Sequence, residues 1–355
     1  MVRIVTVGTS AITKSFLEAL ERVEGAELAG ICSRDAERGR ALAASFEGAR
    51  AYASVEEAAQ DPSVDALYIA SPNALHHGQA LRAITHGKHV LLEKPATVTA
   101  RGFAELRAAA ENEGVVLMEA MRPVHDPALM TCRDAMARIG TVRRADVRFG
   151  KYSSRYDKVL AGERVNVFDA RMGGGALRDI GIYCIEVALA LLGEPADVYA
   201  QGVLAGDPRT TNGAVDGAGT IVARYPDKIA TLSFSKITDD MLPTQIEGEL
   251  GTLTIEGISS PSHAVLCVRG ETGLDSAGYS KAAHADEELE LAQEENSMIY
   301  ELADFVAACE VVAELGGNAP GGWLGSVEDY LDLTERALAM MERAARAMGV
   351  AGPTR

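Results

Sequence analysis

Short runs of apolar residues alternate with segments of helical periodicity along the first third of the chain. Val2–Val7 and Val64–Ala70 are nearly continuous apolar runs, which is typical of strands buried on both faces. In Ser10–Val23 apolar side chains recur every three or four residues, and this spacing predicts an amphipathic helix. The alternation continues to about Met121 and predicts an α/β fold with a doubly wound parallel sheet.

Beyond Met121 the pattern changes to an alternation of apolar and polar residues. This period of two predicts strands with one covered face, at Thr141–Phe149, Asp197–Val203, Gly217–Tyr225, Lys228–Ser235, Thr244–Glu249, Gly251–Glu256 and Ala264–Arg269. We expect an α+β domain with a mostly antiparallel sheet that is open on one face. Gly270–Ala285 is expected to be a loop, and 326–348 a helix that packs back on the first domain.

Length and charge narrow the classes of function. The 355 residues are too many for one ordinary core, and we place two domains at 1–121 and 122–355. The net charge of −17 disfavours nucleic acids and anionic membrane surfaces as partners. The sequence shows no leader pattern and no apolar run that could span a bilayer, so we expect a cytoplasmic protein. Five dispersed cysteines predict neither a metal site nor a disulfide framework.

A charged tripeptide follows the apolar run Val90–Leu92. Glu93, Lys94 and Pro95 come directly after the predicted strand, and ligands of open α/β sheets lie outside the carboxyl ends of the strands. The tripeptide is therefore a candidate for a binding or catalytic site. A surface ion pair at the strand end is the alternative.

The first strand-to-helix turn resembles a Rossmann turn only in part. At the three glycine positions of G-x-G-x-x-G the chain has Gly8, Ser10 and Thr13. Ser10 is small, and the free N–H groups of the following helix can still face a pyrophosphate. An ordinary turn with a hydroxyl cap is the alternative.

The end of the second predicted strand, Glu27–Cys32, bears on the choice of nucleotide. NAD binders usually have a carboxylate there, whereas this chain has Ser33 and Arg34. A guanidinium can pair with a 2′-phosphate, so we expect NADP to be preferred over NAD. Alternatively, Arg34 is a solvated residue before a helix cap.

These motifs together resemble the Gfo/Idh/MocA oxidoreductase family. The resemblance rests on Gly8–Ser10, Ser33–Arg34, Ser71–Asn73 with His76, Gly87–Pro95 and Gly173–Tyr183. The last of these segments is similar to the branch that contains dimeric dihydrodiol dehydrogenase, D-xylose dehydrogenase and glucose-fructose oxidoreductase. The resemblance implies an N-terminal Rossmann domain followed by an α+β domain.

The resemblance also implies roles for individual residues. The pyrophosphate would be held by Gly8, Thr9, Ser10, Ala11 and Ile12, and the adenosine phosphate end by Ser33 and Arg34. The nicotinamide side of the cleft would be lined by Ser71, Pro72, Asn73 and His76. Glu93 would contact the nicotinamide ribose, Lys94 would face the substrate hydroxyl through a cis Lys94–Pro95 peptide, and Arg122 would lie near the cofactor.

A second candidate constellation is formed by Asp179 and Tyr183. The two residues are four apart and share one face of a helix, directly after Gly173–Gly175. A nearby Lys94 ammonium would favour the phenolate of Tyr183, which makes Tyr183 the first choice for proton transfer, with Asp179 orienting the substrate or the lysine. Proton transfer by Lys94 itself stays open. The structural alternative is a half-buried Tyr183 and an Asp179 that only offsets the helix dipole.

The expected activity is hydride transfer between NAD(P) and a sugar, polyol or cyclic diol. Asn166, Asp169 and Arg171 offer polar groups for a hydroxylated substrate, or else lie at the rim. A catalytically silent sensor of ligand or dinucleotide is the alternative. We also expect a homo-oligomer, a dimer or a tetramer, formed through the open face of the second sheet.

Overall fold

The first of two β-sheets is parallel throughout and has six strands. The computed structural model describes residues 1–274, 276–278, 280–315 and 322–350. The first sheet contains β1 Val2–Val7, β2 Ala26–Cys32, β3 Arg50–Tyr52, β4 Ala66–Ile69, β5 His89–Glu93 and β6 Leu117–Ala120, and its helices are α1 Ala11–Leu20, α2 Ala36–Ala43, α3 Val55–Gln60, α4 Asn73–Ile84 and α5 Ala100–Glu113. The strand order β3-β2-β1-β4-β5-β6 is that of the Rossmann fold, so the predicted α/β class is confirmed.

The neighbouring strands β4 and β5 are buried to an extent that explains their continuous apolar sequences. Every residue of β4 and the run Val90–Leu92 of β5 is completely buried, because helices cover both faces of the sheet. The strand order reverses between β1 and β4. The carboxyl ends of β1, β4 and β5 therefore place Gly8, Ser71 and Lys94 at the edge where open sheets bind ligands.

One strand of the first sheet was not predicted. β3 has three residues, Arg50–Tyr52, and only Tyr52 is buried. An edge strand this short carries no detectable periodicity. The predicted helix cap that follows β2 is present, since the Asp35 carboxylate accepts the Arg38 N–H at 3.1 Å.

The second sheet has eight strands and is antiparallel except for one pair. Its elements are α6 Arg122–His125, α7 Pro127–Ala135, β7 Val142–Gly150, α8 Ser154–Leu160, α9 Ile182–Leu192, β8 Asp197–Leu204, β9 Asp216–Arg224, β10 Ile229–Ser235, β11 Thr244–Gly248, β12 Gly251–Glu256, β13 His263–Leu274, β14 Ser280–Glu288, α10 Met298–Leu315 and α11 Val327–Ala347. The order is β14-β13-β12-β11-β7-β10-β9-β8, with β7 and β10 parallel. The mostly antiparallel sheet was predicted.

The expected loop at Gly270–Ala285 is wrong for most of its residues. β13 extends to Leu274, and β14 begins at Ser280 and pairs with it. Residues 275 and 279 lie outside the described part. The described residues of this hairpin from 271 onward are exposed where their burial is assigned, so no buried face imposes the period of two on their sequence.

One face of the second sheet is covered by α9 and α11 and the other is open. On β9, Ile221 and Ala223 are buried, whereas Thr220 and Arg224 are exposed. α11 also packs against α5 and β6 of the first sheet. There the Arg107 guanidinium pairs with carboxylates of α11, those of Glu328, Asp332 and Glu335. The proposed division at residue 121 stays a prediction.

Candidate active site

A cleft of about 860 Å³ opens at the carboxyl ends of β1, β4 and β5. The second domain closes its other side. The cleft brings together many of the site residues predicted from the sequence: Ser10, Ala11, Ile12, Ser71, Pro72, Asn73, His76, Glu93, Lys94, Arg122, Asp179 and Tyr183. Gly8, Thr9, Ser33 and Arg34 are not part of its lining.

Two lysines share the carboxylate of Asp179. The Lys94 Nζ lies 3.0 Å from Asp179 Oδ1 and 2.7 Å from the Asp179 backbone oxygen. Lys236 forms an ion pair with the other carboxylate oxygen, Oδ2. Lys236 was not predicted, because it follows β10 and only the tertiary fold brings it to Asp179.

The charges of this group depend on one another. Burial opposes the charge of Asp179, but the ammonium groups of Lys94 and Lys236 outweigh it and hold the pKa of the carboxyl well below its ordinary value. Burial likewise disfavours the Lys94 ammonium, but Asp179, Tyr183 and Glu93 raise the pKa of Lys94 above its ordinary value. Asp179 and Lys94 are therefore both charged at neutral pH.

Tyr183 lies between a cation and an aromatic ring. The Lys94 Nζ is 5.1 Å from the centroid of its ring, and the edge of Phe149 packs at a centroid distance of 5.6 Å. Arg122 Nη2 donates to the Tyr183 hydroxyl at 3.4 Å. The side chain is 5% exposed, so the phenol faces the cleft from a fixed position.

Close packing of a glycine turn sets the direction of the Asp179 segment. A Cβ on Gly174 would lie 2.6 Å from the Val167 oxygen, so the turn has no room for another side chain. Gly175 has a φ of +122°, which favours glycine. Asp179 itself lies in a π-helical turn, Leu177–Gly181, before α9. The predicted regular helix is therefore interrupted at the site, as π-turns often are.

Buried side chains and backbone oxygens fix the position of the segment Glu93–Pro95. The Lys94–Pro95 peptide is cis, as expected. The Tyr68 hydroxyl donates to Glu93 Oε1 at 2.7 Å, and burial raises the pKa of Glu93. His76 is completely buried, with Nδ1 3.0 Å from the Pro95 oxygen and Nε2 2.8 Å from the Ser71 oxygen. Its imidazole joins two loops of the cleft.

The first-domain side of the cleft fits a dinucleotide. A Cβ on Gly8 would lie 2.8 Å from the Ala70 oxygen, and its φ is +123°, so the backbone turns closely at the start of α1. The hydroxyl of Ser10 makes no capping bond, and the first N–H groups of α1 are free to face a phosphate. Arg34 is exposed and forms no ion pair with a described carboxylate, whereas Ser33 is buried.

Three buried glutamates, Glu119, Glu186 and Glu301, lie outside the cleft lining. Glu119 accepts the Ala96 N–H at 2.6 Å. Burial and the neighbouring Glu119 raise the pKa of Glu186 well above its ordinary value. Burial, together with Glu93, does the same for Glu301. Sequence analysis missed these residues, although a glutamate in the apolar helix α9 was a signal.

The comparisons with known proteins agree with this geometry. Residues 2–121 match the GFO_IDH_MocA model, described as oxidoreductase family, NAD-binding Rossmann fold, and residues 129–254 match the GFO/IDH/MocA C-terminal domain. The chain belongs to the Gfo/Idh/MocA oxidoreductase family. Both the resemblance and the predicted class of NAD(P)-dependent oxidoreductase are therefore confirmed.

Curated members of the family share much of the chain. It is 40% identical over 269 residues to scyllo-inositol 2-dehydrogenase (NADP(+)) IolU of Bacillus subtilis (strain 168). The aligned region covers 76% of this chain and 80% of IolU. It is 29% identical over 272 residues to trans-1,2-dihydrobenzene-1,2-diol dehydrogenase of Mus musculus, with 75% and 77% covered.

A solved structure has the same fold over nearly the whole length. KijD10, a 3-ketoreductase from Actinomadura kijaniata in complex with NADP and TDP-benzene, superposes with a TM-score of 0.80 at 22% identity and 98% coverage of both chains. In the part of the present chain that the structure describes, no helix is long and apolar enough to cross a membrane. The same residues contain no group of three or more His, Cys, Asp or Glu that could hold a metal ion.

Proposed function

We propose that this protein transfers a hydride between NADP or NAD and a hydroxyl-bearing carbon of a sugar, polyol or cyclic diol. The proposal rests on one observation. Lys94, Asp179 and Tyr183 lie together in the cleft that opens at the carboxyl ends of the strands of the first sheet. The nicotinamide supplies the hydride acceptor or donor. The protein's task is to orient the substrate and to move the hydroxyl proton.

Tyr183 is the proposed proton-transfer group, and its hydroxyl gives or takes the substrate proton. Lys94 remains an ammonium beside Asp179, since its pKa is raised, so it contributes positive charge and a hydrogen bond to the substrate oxygen. Arg122 donates to the Tyr183 hydroxyl and would stabilise the phenolate. Asp179 positions Lys94 through two hydrogen bonds.

NADP is the proposed preferred nucleotide. Arg34 is exposed at the carboxyl end of β2, where a 2′-phosphate would lie, and IolU carries NADP(+) in its name. Fluorescence titration with NADPH and NADH would test this preference. Equal or tighter NADH binding would contradict it, and Arg34→Ala should weaken NADPH more than NADH.

Turnover against scyllo-inositol, a trans-dihydrodiol and a panel of aldoses tests the proposed reaction. We expect NADP-dependent turnover of at least one compound, and we expect Tyr183→Phe to lower kcat about 100-fold or more with NADPH affinity unchanged. Tyr225→Phe serves as a matched control, because its hydroxyl bonds Gly193 and is outside the cleft lining. NADPH binding with no turnover of any compound would favour the sensor instead.

The open face of the second sheet is the proposed oligomer interface. Tyr199 and Val203 lie on the same face of β8 and are 59% and 60% exposed, and Ile229 on β10 is exposed as well. Such apolar side chains on an open sheet favour burial against a second copy. Light scattering should give a dimer or tetramer, and Val203→Glu should shift the protein toward the monomer. A monomeric wild type would contradict the proposal.

A further inference from the structure

Three exposed cations line the second-domain wall of the cleft: Lys151, Arg155 and Lys158. We refer to them as the basic wall. Lys151 follows β7, and Arg155 and Lys158 are three residues apart on α8. They therefore share one helix face. The basic wall presents a guanidinium and two ammonium groups to the same space.

This wall is joined to the proposed catalytic group. The Lys151 N–H donates to the Ser235 oxygen at 2.9 Å, and the Ser153 N–H donates to the Lys236 oxygen at 2.9 Å. Lys236 in turn pairs with Asp179. The backbone that carries the basic wall is thus bonded to the strand end that reaches the site of chemistry.

No described carboxylate neutralises the three cations. Elsewhere on the surface, arginines have acidic partners, as Arg138 does in Glu287. The acidic residue of α8, Asp157, accepts instead from the Tyr152 hydroxyl at 2.7 Å. The nearby Asp240 pairs with Arg148 at 3.0 Å. The carboxylates of Asp157 and Asp240 are therefore directed to other partners.

The charge balance of the cleft is opposite to that of the whole chain. Its cationic lining residues are Lys94, Arg122, Lys151, Arg155, Lys158 and Lys236, and its acidic lining residues are Glu93 and Asp179. The chain as a whole has a net charge of −17. A positively charged cleft in an acidic protein attracts and retains an anionic ligand.

We propose that the basic wall binds a phosphate group on the substrate. The inference rests on the proposed function and narrows its substrate class to phosphorylated sugars or polyols, including phosphodiesters. Phosphate oxygens match a guanidinium and flanking ammonium groups. In the proposed function, the cofactor's own phosphates would have separate donors in the first domain, at α1 and Arg34. The basic wall, in contrast, comes from the second domain and adjoins the Lys236–Asp179 pair.

Calorimetric titration of the full chain, saturated with NADP, tests this proposal. The probes are pairs of compounds that differ only by a phosphate: glucose and glucose 6-phosphate, myo-inositol and inositol 1-phosphate, glycerol and glycerol 3-phosphate. In at least one pair we expect the phosphorylated compound to bind about tenfold or more tightly. The preference should shrink as the salt concentration rises.

Variants identify the residues responsible. The triple variant Lys151→Gln, Arg155→Gln, Lys158→Gln should remove the preference. A control with the same change of charge, Arg101→Gln, Arg209→Gln, Arg336→Gln, should keep it, since these exposed arginines lie outside the cleft lining. NADPH affinity should be equal in wild type and in both variants.

Each opposite result overturns the inference. Equal affinity within every pair, or a preference that survives the triple variant, would exclude the basic wall as a phosphate site. Weaker NADPH binding by the triple variant would assign the basic wall to the cofactor. The hydride-transfer proposal fails separately, when phosphate-dependent binding is present but none of the compounds is turned over.

Discussion

The carboxyl pKa values of two buried acids, Asp179 in the cleft and Glu301 on α10, are shifted in opposite directions. The carboxyl pKa of Asp179 lies well below its ordinary value because two ammonium groups outweigh burial. The pKa of Glu301 lies well above, since burial and Glu93 outweigh Arg122. The difference shows that the available cations, rather than depth alone, decide in which direction a buried carboxyl pKa is shifted here. Of these two acids, only Asp179 lines the cleft.

The largest effect should come from removing one of the two cations. Lys94→Ala leaves Asp179 with Lys236 alone and takes the ammonium from Tyr183. We expect kcat to fall about 1000-fold or more, because both the positive charge and the substrate contact are lost. NADPH affinity, followed by fluorescence, should change little.

A surface lysine provides the control for this variant. Lys228 lies in the turn before β10 and pairs there with the neighbouring Asp227 and Tyr225. The kcat of the variant Lys228→Ala should therefore equal that of wild type. Near-normal turnover of Lys94→Ala would remove Lys94 from the proposed mechanism.

A smaller loss is expected when the acid is neutralised in place. Asp179→Asn keeps the shape of the side chain but removes the charge that raises the pKa of Lys94. We expect kcat to fall about 100-fold, with the Lys94 pKa shifted downward and visible in the pH profile of kcat. An unchanged pH profile together with unchanged kcat would show that Asp179 does not control Lys94.

The prediction of this arrangement from sequence was uneven. The Glu93–Pro95 segment and the pair Asp179 and Tyr183 could be named, because strand ends and helix spacing are local properties of the chain. Lys236 could not, since its pairing with Asp179 spans 57 residues and depends on the packing of β10. Glu301 was also missed, because sequence patterns contain no information about which partner a buried acid will meet.

The same limit applies to the fold. The alternation of buried strands and helices in the first sheet was readable because both faces of its strands are covered. β14 was not predicted, since its described side chains are exposed and pairing with β13, rather than burial, forms the strand. Strands and helices were therefore predictable where burial imposes a periodic pattern of apolar residues on the sequence. A strand that forms through pairing alone has no such pattern.

A third buried acid, Asp216, connects the effect of burial on a carboxyl pKa with the pH dependence of the free energy of unfolding. Asp216 is completely buried and accepts the Leu177 N–H at 2.6 Å, and burial raises its pKa from 3.8 to about 6. The folded state then binds the proton more tightly, so stability falls as the pH rises from about 4 to about 6 and stays lower above that. The shift corresponds to a loss of about 3 kcal/mol.

Urea unfolding of Asp216→Asn measures this loss. The free energy of unfolding of the variant minus that of wild type should be about 3 kcal/mol larger at pH 7.5 than at pH 4. Asp227→Asn, in an exposed turn, should show no such difference. Parallel pH curves for wild type and Asp216→Asn would mean that folding does not raise the pKa of Asp216.

The smallest effect is expected at Glu301. Burial and Glu93 raise the carboxyl pKa of Glu301 and so favour its neutral form. Because glutamine is also neutral and similar in shape, Glu301→Gln should change the free energy of unfolding by less than about 1 kcal/mol and kcat by less than about threefold. Denaturation and steady-state assays at pH 7 check both values. A large loss in either would reveal an ionised Glu301 paired with Arg122, and the contrast with Asp179 would disappear.

The packing of α11 against the first sheet has a consequence for synthesis of the protein. A ribosome completes β6 about two hundred residues before it makes α11. Until then the Arg107 guanidinium lacks its carboxylate partners on that helix, and the Glu119 carboxylate lacks the Thr334 hydroxyl that donates to it at 2.9 Å. During translation, the surface of the first domain that α11 later covers is therefore exposed to solvent, and chaperones can bind it there.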